Sequence, residues 1–368
     1  MKNILIYTVL NTIFIFNAYS QNKIDTVLIK KTINETIDNQ LVFGAAISIS
    51  NNDKTFSYYS GNFKENQPHF IASTTKLYVT ALILHLKSIG KLNLEDKITS
   101  YLSPEVIKNL HVYKGKDYSS ELTIKHLLAH TSGLPDYFED KKENGKSLLT
   151  ELTLGIDQKW SSLESIELSK HMKPKFKPGT KKKAFYSDTN FQLLSLIIES
   201  IYKNDIVSIF RTEIIEPLKL TKTYLYSDTL DTKPINIYYK EKQLIMPKAM
   251  ASFKADGGIV STTEESIIFL KSFFNGTFFP KEYLPELYEW NRIMYPLENG
   301  IGLMRFKLPK SFTMGKNVPV VYGHSGLSGA FAYYAPETDT YYTGTVNQIF
   351  KPGTSYKLLV KILLISNQ

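Results

Sequence analysis

The chain has 368 residues, of which 43% are hydrophobic, and a formal net charge of +9, which fits one large globular catalytic unit. It contains no cysteine, which excludes a disulfide framework and a lipid-modified N-terminal cysteine. The excess lysines between residues 173 and 183 are better explained as a solvated face than as a surface for an anionic cell wall or membrane, and no nucleic-acid-binding module is recognisable.

Residues 1–20 have the layout of a cleaved secretory signal. Lys2 precedes the apolar stretch ILIYTVLNTIFIF, and Ala18-Tyr19-Ser20 precede Gln21. A stretch of about 13 apolar-rich residues is too short for a stable membrane span. We therefore expect a mature chain of residues 21–368 that is secreted or periplasmic, with a retained anchor as the alternative.

The next elements indicate a sheet assembled from both ends of the chain. Residues 24–39 have helical apolar spacing, and LVFGAAISIS and KTFSYYSG flank Asn51-Asn52-Asp53 as a hairpin. Residues 91–295 are mostly helical, whereas 301–308, 318–323, 329–335 and 340–346 are strand-like and are followed by a closing helix, SYKLLVKILLIS.

This order predicts an α/β (α+β) fold, an antiparallel sheet flanked by helices with a large, mostly helical insertion. We expect one catalytic domain over 21–368. Its sheet subdomain would comprise about 21–70 and 297–368, and its helical subdomain about 71–296.

The helix after the hairpin begins at Ile71-Ala72-Ser73-Thr74-Thr75-Lys76 and continues to Gly90. A hydroxyl three residues before an amine lies on the same helix face, and the helix N-terminus stabilises negative charge on Ser73. Because residues 77–89 are apolar nearly all round, Lys76 is expected to be buried, where desolvation lowers the pKa of an amine. The pattern predicts a nucleophile beside a base.

The Ser-to-Lys spacing alone is a weak signal, since Ser20–Lys23, Ser88–Lys91 and Ser200–Lys203 share it. Taken by itself, the spacing is better explained by a cluster of helix-capping hydroxyls beside a lysine with a solvent-exposed amine. The rest of the sequence has to decide between the two interpretations.

Four stretches together resemble the serine β-lactamase-related family, which includes class C β-lactamases, DD-peptidases and related esterases. They are Ser73-Thr74-Thr75-Lys76, LTIKHLLAHTSGLPDYF at 122–138, PGTKKKAFYSDTNFQLLSLIIE at 178–199 and GHSGLSG at 323–329. ADGGIVSTTEESIIF at 255–269 and EPLKLTKTYL at 216–225 are weaker matches. The stretches span nearly the whole mature chain, and their combination is far more specific than any one of them.

The resemblance assigns the second site element, Tyr-x-Asn in the family, to Tyr186-Ser187-Asp188. Tyr226-Ser227-Asp228 has the same letters, but only the first copy follows Pro178-Gly179 and precedes an apolar helix. A phenol near the serine relays a proton if neighbouring cations hold its pKa well below about 10. Whether Lys76 or Tyr186 is the main base stays open, and Asp188 departs from the family's neutral amide.

The third element, Lys-Thr-Gly or His-Thr-Gly in the family, corresponds to His324-Ser325-Gly326. Glycine lets a substrate approach the strand, and the N–H of Leu327 would join that of Ser73 as an oxyanion hole. A histidine, mostly neutral at pH 7, favours a peptidase or esterase over a β-lactamase. A structural histidine at a strand end is the alternative.

His126 and His130 lie four residues apart, but without an H-E-x-x-H motif or a cysteine we expect no metal site. The sequence therefore predicts an exported serine hydrolase that forms an acyl-enzyme on an ester, a D-alanyl peptide or a β-lactam and needs no cofactor. Its expected partner is a small-molecule or peptide substrate, with the cell wall as one source. A catalytically silent binding module of the same fold is the alternative.

Overall fold

The computed structural model describes residues 24–52, 54–294, 296–313 and 315–366. The expected signal peptide, residues 1–20, lies outside the described residues, as does Asp53 of the expected turn. None of the helices in these ranges combines the length and the apolar content needed to cross a lipid bilayer.

The α-helices in the described ranges are α1 Thr26–Thr36, α2 Thr75–Ser88, α3 Pro104–Ile107, α4 Ile124–Leu128, α5 Leu148–Thr153, α6 Ser162–Lys170, α7 Thr189–Tyr202, α8 Ile206–Phe210, α9 Pro247–Phe253, α10 Thr263–Asn275 and α11 Gly353–Ser366. The strands are β1 Gly44–Asn51, β2 Lys54–Gly61, β3 His69–Phe70, β4 Val112–Tyr113, β5 Lys116–Asp117, β6 Tyr224–Leu225, β7 Ile237–Tyr239, β8 Lys242–Leu244, β9 Ile259–Ser261, β10 Asn291–Met294, β11 Leu297–Asn299, β12 Met304–Phe306, β13 Val321–Ser325, β14 Ala330–Ala335 and β15 Thr340–Thr345.

One antiparallel sheet organises the fold, with strand order β10-β11-β12-β13-β14-β15-β1-β2. Strand β1 pairs with β15, and Ile47 lies opposite Gly344. The two ends of the chain therefore share one sheet, and the α/β class expected from the sequence is confirmed. The strands β3, β9 and β6 form a second, smaller sheet beside the site.

Helices cover both faces of the large sheet. Ile47 and Ile49 belong to an apolar cluster with Ile33 of α1 and Leu359 of α11. On the other face, the hydroxyl of Ser48 donates a hydrogen bond to the Thr263 hydroxyl at the start of α10, 2.8 Å away. Strand β1 is consequently buried on both faces.

Helix α2 is the centre of the helical part, as its nearly uniform apolarity predicts. Its residues are buried without interruption from Thr75 to Leu84, and Tyr78 stacks on Phe269 of α10 with ring centroids 3.5 Å apart. The helix ends before Gly90, whose φ of +68° is the left-handed conformation that glycine adopts freely.

Two local features differ from the sequence-based expectation. Strands β10 and β11 already belong to the large sheet, although most of this segment was expected in the helical part. Ser73 lies in a short 3₁₀ turn, Ala72–Thr74, and the α-helix itself begins at Thr75. The turn follows Ala72 with a φ of +46°, which is strained for a residue with a Cβ.

Candidate active site

Ser73 and Lys76 lie together at the start of α2. The Nζ of Lys76 is 3.1 Å from the Oγ of Ser73, within hydrogen-bond distance. Ser73 is partly exposed and lines a pocket, whereas Lys76 is completely buried. The fold thus presents a hydroxyl to the pocket and keeps the amine behind it.

Three acceptors surround the Nζ of Lys76. Besides Ser73, they are the Oδ1 of Asp188 at 2.7 Å and the backbone carbonyl oxygen of Asp256 at 2.6 Å. Ser73 and the Asp256 carbonyl oxygen accept hydrogen bonds from the ammonium, whereas the contact with Asp188 is an ion pair in which Oδ1 accepts no hydrogen bond from the described residues. Burial, the largest single influence, lowers the pKa of Lys76, but the interactions with neighbouring groups, of which that with Asp188 is the strongest, together outweigh burial and raise the pKa above its ordinary value. Burial of Lys76, expected from the sequence, therefore does not by itself set the direction of its pKa.

Asp188 reaches Lys76 because its carboxylate does not cap the helix that follows. Asp188 is the residue before α7, where an aspartate normally accepts a hydrogen bond from the first helical turn, yet its side chain makes no such bond. The carboxylate instead pairs with Lys76. Asp188 therefore occupies the N-cap position of α7 in the sequence but serves as a partner of Lys76 in the site.

Tyr186 covers the other side of Lys76. Its ring centroid is 5.1 Å from the Lys76 Nζ. Burial raises the pKa of Tyr186 more than Lys76 lowers it, so the pKa lies above its ordinary value. Proton relay by Tyr186 requires neighbouring cations that hold its pKa well below about 10. This condition is not met, so Tyr186 is a neutral phenol in the free protein.

His130 fixes the Tyr186 segment. Its ring stacks on that of Tyr186 with centroids 4.4 Å apart, and its Nδ1 accepts a hydrogen bond of 3.1 Å from the backbone N–H of Ser187. The other histidine of the pair, His126, accepts from the N–H of Thr123 through Nδ1 in a capping box. Both histidines thus have structural partners of their own.

The end of strand β13 lies against the Ser73 turn. A Cβ on Gly326 would lie 2.4 Å from the carbonyl oxygen of Ile71 and 3.2 Å from the Ser73 nitrogen, so only glycine fits. The Ser328 hydroxyl donates to the carbonyl oxygen of Phe70, 2.8 Å away, and fixes the following turn. This packing brings Leu327 to the pocket that Ser73 lines.

His324 and Ser325 have different surroundings on this strand. The ring of His324 lies 6.2 Å from that of Tyr186, and burial together with the charge of Lys76 lowers the pKa of His324 to about 3. His324 is therefore neutral. The hydroxyl of Ser325 instead hydrogen-bonds that of Tyr333, 2.8 Å away.

The pocket beside Ser73 is mostly apolar. Three acidic residues, Asp188, Glu139 and Asp256, also lie on its wall. Desolvation and the charge of Asp188 raise the pKa of Glu139 to about 7. The apolar wall consists of Phe138, Leu152, Ile237, Met246, Met250, Phe253, Leu327 and Ile349.

Sequence reasoning did not single out Asp256, His130 as the partner of Tyr186, or Glu139. Asp256 had a weak signal, because it belongs to the ADGG stretch that resembles the family. Glu139 directly follows another matching stretch and had no pattern of its own.

Comparison with known proteins agrees with this geometry. The family described as Beta-lactamase matches residues 29–358. The chain belongs to the β-lactamase family.

Individual members of the family are distant from this chain. Protein flp of Staphylococcus aureus (strain MRSA252) is 29% identical over 232 residues, which cover 60% of this chain and 41% of that protein. The matched region is thus about two fifths of that relative.

Solved structures share the β-lactamase-family fold. A D-stereospecific amidohydrolase from Streptomyces sp. superposes with a TM-score of 0.74 at 21% identity, over 90% of this chain and 98% of that one. An octameric penicillin-binding protein homologue from Pyrococcus abyssi gives 0.72 at 22% identity, over 91% of this chain and 77% of that one. These likenesses support the fold, and the chemistry has to be argued from the site.

Proposed function

We propose that the protein is a serine hydrolase that forms an acyl-enzyme on Ser73. The observation that carries the proposal is the 3.1 Å contact between the Ser73 hydroxyl and the buried Lys76 amine at the wall of a pocket. In this role Ser73 attacks a carbonyl carbon, and the N–H groups of Ser73 and Leu327 hold the oxyanion. Water then releases the acyl group.

Lys76 and Tyr186 divide the proton transfers. Lys76 takes the Ser73 proton only after it has lost its own, which the charge of Asp188 opposes. Tyr186 rests as a phenol and gives a proton to the leaving group. Activity is therefore expected to rise toward alkaline pH as the neutral amine becomes populated.

The pocket supports an acyl group with an apolar side chain and without a carboxylate. Met246, Met250 and Phe253 supply apolar surface, whereas Asp188 supplies negative charge, to which Glu139 adds only as it ionises near pH 7. Neutral His324 offers no cation to hold a carboxylate. Esters and peptide or amide substrates fit these properties better than penicillins or cephalosporins.

The test is intact-protein mass spectrometry after incubation with a fluorophosphonate and, separately, with penicillin. We expect one adduct on the wild type and none on Ser73→Ala. Ser227→Ala, an exposed serine in the second Tyr-Ser-Asp, is the matched control and should label normally. Labelling by the fluorophosphonate alone indicates an esterase or amidase.

The alternative is a silent binding module of the same fold. It predicts that wild-type protein gives no adduct with either probe, while the folded protein still binds an acylated or cell-wall ligand. Adduct formation that persists in Ser73→Ala would also contradict the assignment of the nucleophile.

Export is part of the proposal and rests on the signal-like layout of residues 1–20. The intact mass of the protein recovered from the periplasm or medium tests it. We expect a chain that begins at Gln21, and recovery of the full-length chain in the membrane fraction would instead indicate a retained anchor.

A further inference from the structure

Asp256 lies directly behind Lys76. Its backbone carbonyl oxygen accepts a hydrogen bond from the Lys76 Nζ at 2.6 Å, the shortest of the three contacts of that ammonium. Its side chain is 1% exposed and extends into the interior beside α7. The same residue therefore holds the lysine with its backbone and places a carboxyl group close by.

Neutral donors bind one oxygen of this carboxyl group. The Oδ2 of Asp256 accepts from the Tyr137 hydroxyl at 2.7 Å and from the Gln192 Nε2 at 2.8 Å. Trp160 Nε1 donates to the Tyr137 oxygen at 3.3 Å, which directs the Tyr137 proton toward Asp256. Gln192 Nε2 also donates to the carbonyl oxygen of Phe253 at 2.9 Å, which fixes the amide orientation.

The second carboxyl oxygen has a different environment. Within the described residues, Asp256 Oδ1 and Gln192 Oε1 are buried without a hydrogen-bond partner. A buried anionic oxygen without a hydrogen-bond donor is strongly disfavoured. A proton on the carboxyl group removes the charge and supplies a donor to a network that otherwise has two unpaired acceptors.

Asp188 provides the contrast, because its carboxylate touches the Lys76 ammonium directly at 2.7 Å. The charged or titratable groups facing Asp256 are Lys76 from α2, Asp188 before α7 and Tyr137 from the loop after α4. One ammonium next to two ionised aspartates would leave a net negative charge in the interior.

We infer that Asp256 is a positioning residue for Lys76 that works as a neutral carboxylic acid. Anchored to Tyr137 and Gln192, it holds the segment whose carbonyl oxygen binds the ammonium, and it leaves Asp188 as the ionised partner. Burial and the charge of Asp188 raise the pKa of Asp256 well above its ordinary value, which agrees with a neutral carboxylic acid at this position. The catalytic consequence rests on the proposed function, whereas the protonation state does not.

The protonation state is tested by infrared difference spectroscopy on the resting protein near neutral pH. Wild type minus Asp256→Asn should contain the carbonyl stretch of a protonated carboxyl group. Wild type minus Asp228→Asn, an exposed aspartate, should contain only carboxylate bands. A carboxylate band for Asp256 would overturn the inference, whether or not the protein proves to be an enzyme.

The positioning role is tested by the fluorophosphonate labelling rate of Ser73 and its pH profile. Asp256→Ala, which frees the segment, should slow labelling at least about tenfold, since small misplacements at reacting groups have effects of this order. Asp256→Asn, which resembles the neutral acid, should restore most of that loss and leave the acid limb in place.

Two results would contradict the positioning role. An Asp256→Ala variant that labels at the wild-type rate shows that the side chain does not hold Lys76. An Asp256→Asn variant whose acid limb moves downward shows that an ionised carboxylate was removed. Thermal unfolding of both variants checks that they are folded, and Asp256→Asn decides the matter if Asp256→Ala is not.

Discussion

Tyr186-Ser187-Asp188 and Tyr226-Ser227-Asp228 have the same three residues but different partners. In the first copy, Tyr186 stacks on His130 and Asp188 lies 2.7 Å from the buried Lys76. In the second, the Tyr226 hydroxyl donates to the backbone oxygen of Asp231 at 2.9 Å. Asp228 is exposed and accepts from the Leu230 N–H in a turn.

The difference shows that the tripeptide carries no function of its own. The first copy becomes part of the site because helix α2 places Lys76 beside both Tyr186 and Asp188. In the second copy Tyr226 belongs to a buried apolar cluster and Asp228 holds an exposed turn. The second copy is therefore a control within the same chain, and each substitution in the first has a matched partner.

The largest effect is expected from Lys76→Met, which removes the cation that distinguishes the first copy. Loss of the proton acceptor for Ser73 should lower the labelling rate by about 10²–10⁴. Lys233→Met, an exposed lysine beside the second copy, should label normally. The comparison fails if Lys76→Met, checked for folding by circular dichroism, keeps more than a tenth of the wild-type rate.

Tyr186→Phe is expected to have the next largest effect. It removes the phenol proton offered to the leaving group and should reduce kcat for a poorly activated amide by about 10²-fold. An activated ester, whose leaving group needs no proton, should be affected less. Tyr226→Phe should leave both activities unchanged and lose only the stability of one hydrogen bond, about 1 kcal/mol. Equal losses on ester and amide would argue against proton donation by Tyr186.

Most of the fold could be predicted from local patterns. Alternating apolar residues on either side of a turn signal were enough for the β1–β2 hairpin, and short β-branched or aromatic runs indicated β12 to β15. The strands β10 and β11 were not predicted, because their sequences, NRIM and LEN on either side of a proline, are short and partly polar. Their pairing depends on the neighbouring strand, which a local pattern does not contain.

The residues of the site could be predicted where the order of the family-like stretches along the chain identifies them. The structure brings Ser73, Lys76, Tyr186 and Asp188 together, and each came from a stretch that resembles the family. The direction of the Lys76 pKa did not follow from burial alone, because it depends on the 2.7 Å distance to Asp188. Asp256 was missed because its partners Tyr137 and Gln192 are distant in sequence.

Substrate choice sharpens the comparison further, since the carboxylate of the first copy lines the pocket. We expect kcat/KM for cephalosporins below about 10⁴ M⁻¹s⁻¹, at the lower end of the usual enzyme range. An activated ester or a D-alanyl peptide whose C-terminus is amidated should be hydrolysed faster, because Asp188 repels the carboxylate of the drug and these two substrates carry none at that place. Steady-state kinetics on the three substrates decide the matter, and efficient cephalosporin turnover would contradict the proposed pocket chemistry.

The smallest shift is expected from Asp188→Asn, and it tests the charge of the first copy alone. Removing the carboxylate lowers the pKa of Lys76, so the neutral amine is populated at lower pH and the acid limb of kcat/KM should move downward. Charges 4 Å apart at an effective dielectric of about 20 interact by about 4 kcal/mol, and a third of this already corresponds to about one pH unit.

Asp228→Asn is the control, and its acid limb should coincide with that of the wild type. The acid limb of the pH profile reflects several coupled groups and not Lys76 alone. Loss of Asp188 also removes the repulsion that, together with burial, raises the pKa of Asp256. Ionised Asp256 would then partly replace Asp188, so Asp188→Asn combined with Asp256→Asn should move the limb further down than the single variant. An upward move in Asp188→Asn would show instead that the carboxylate itself accepts the proton.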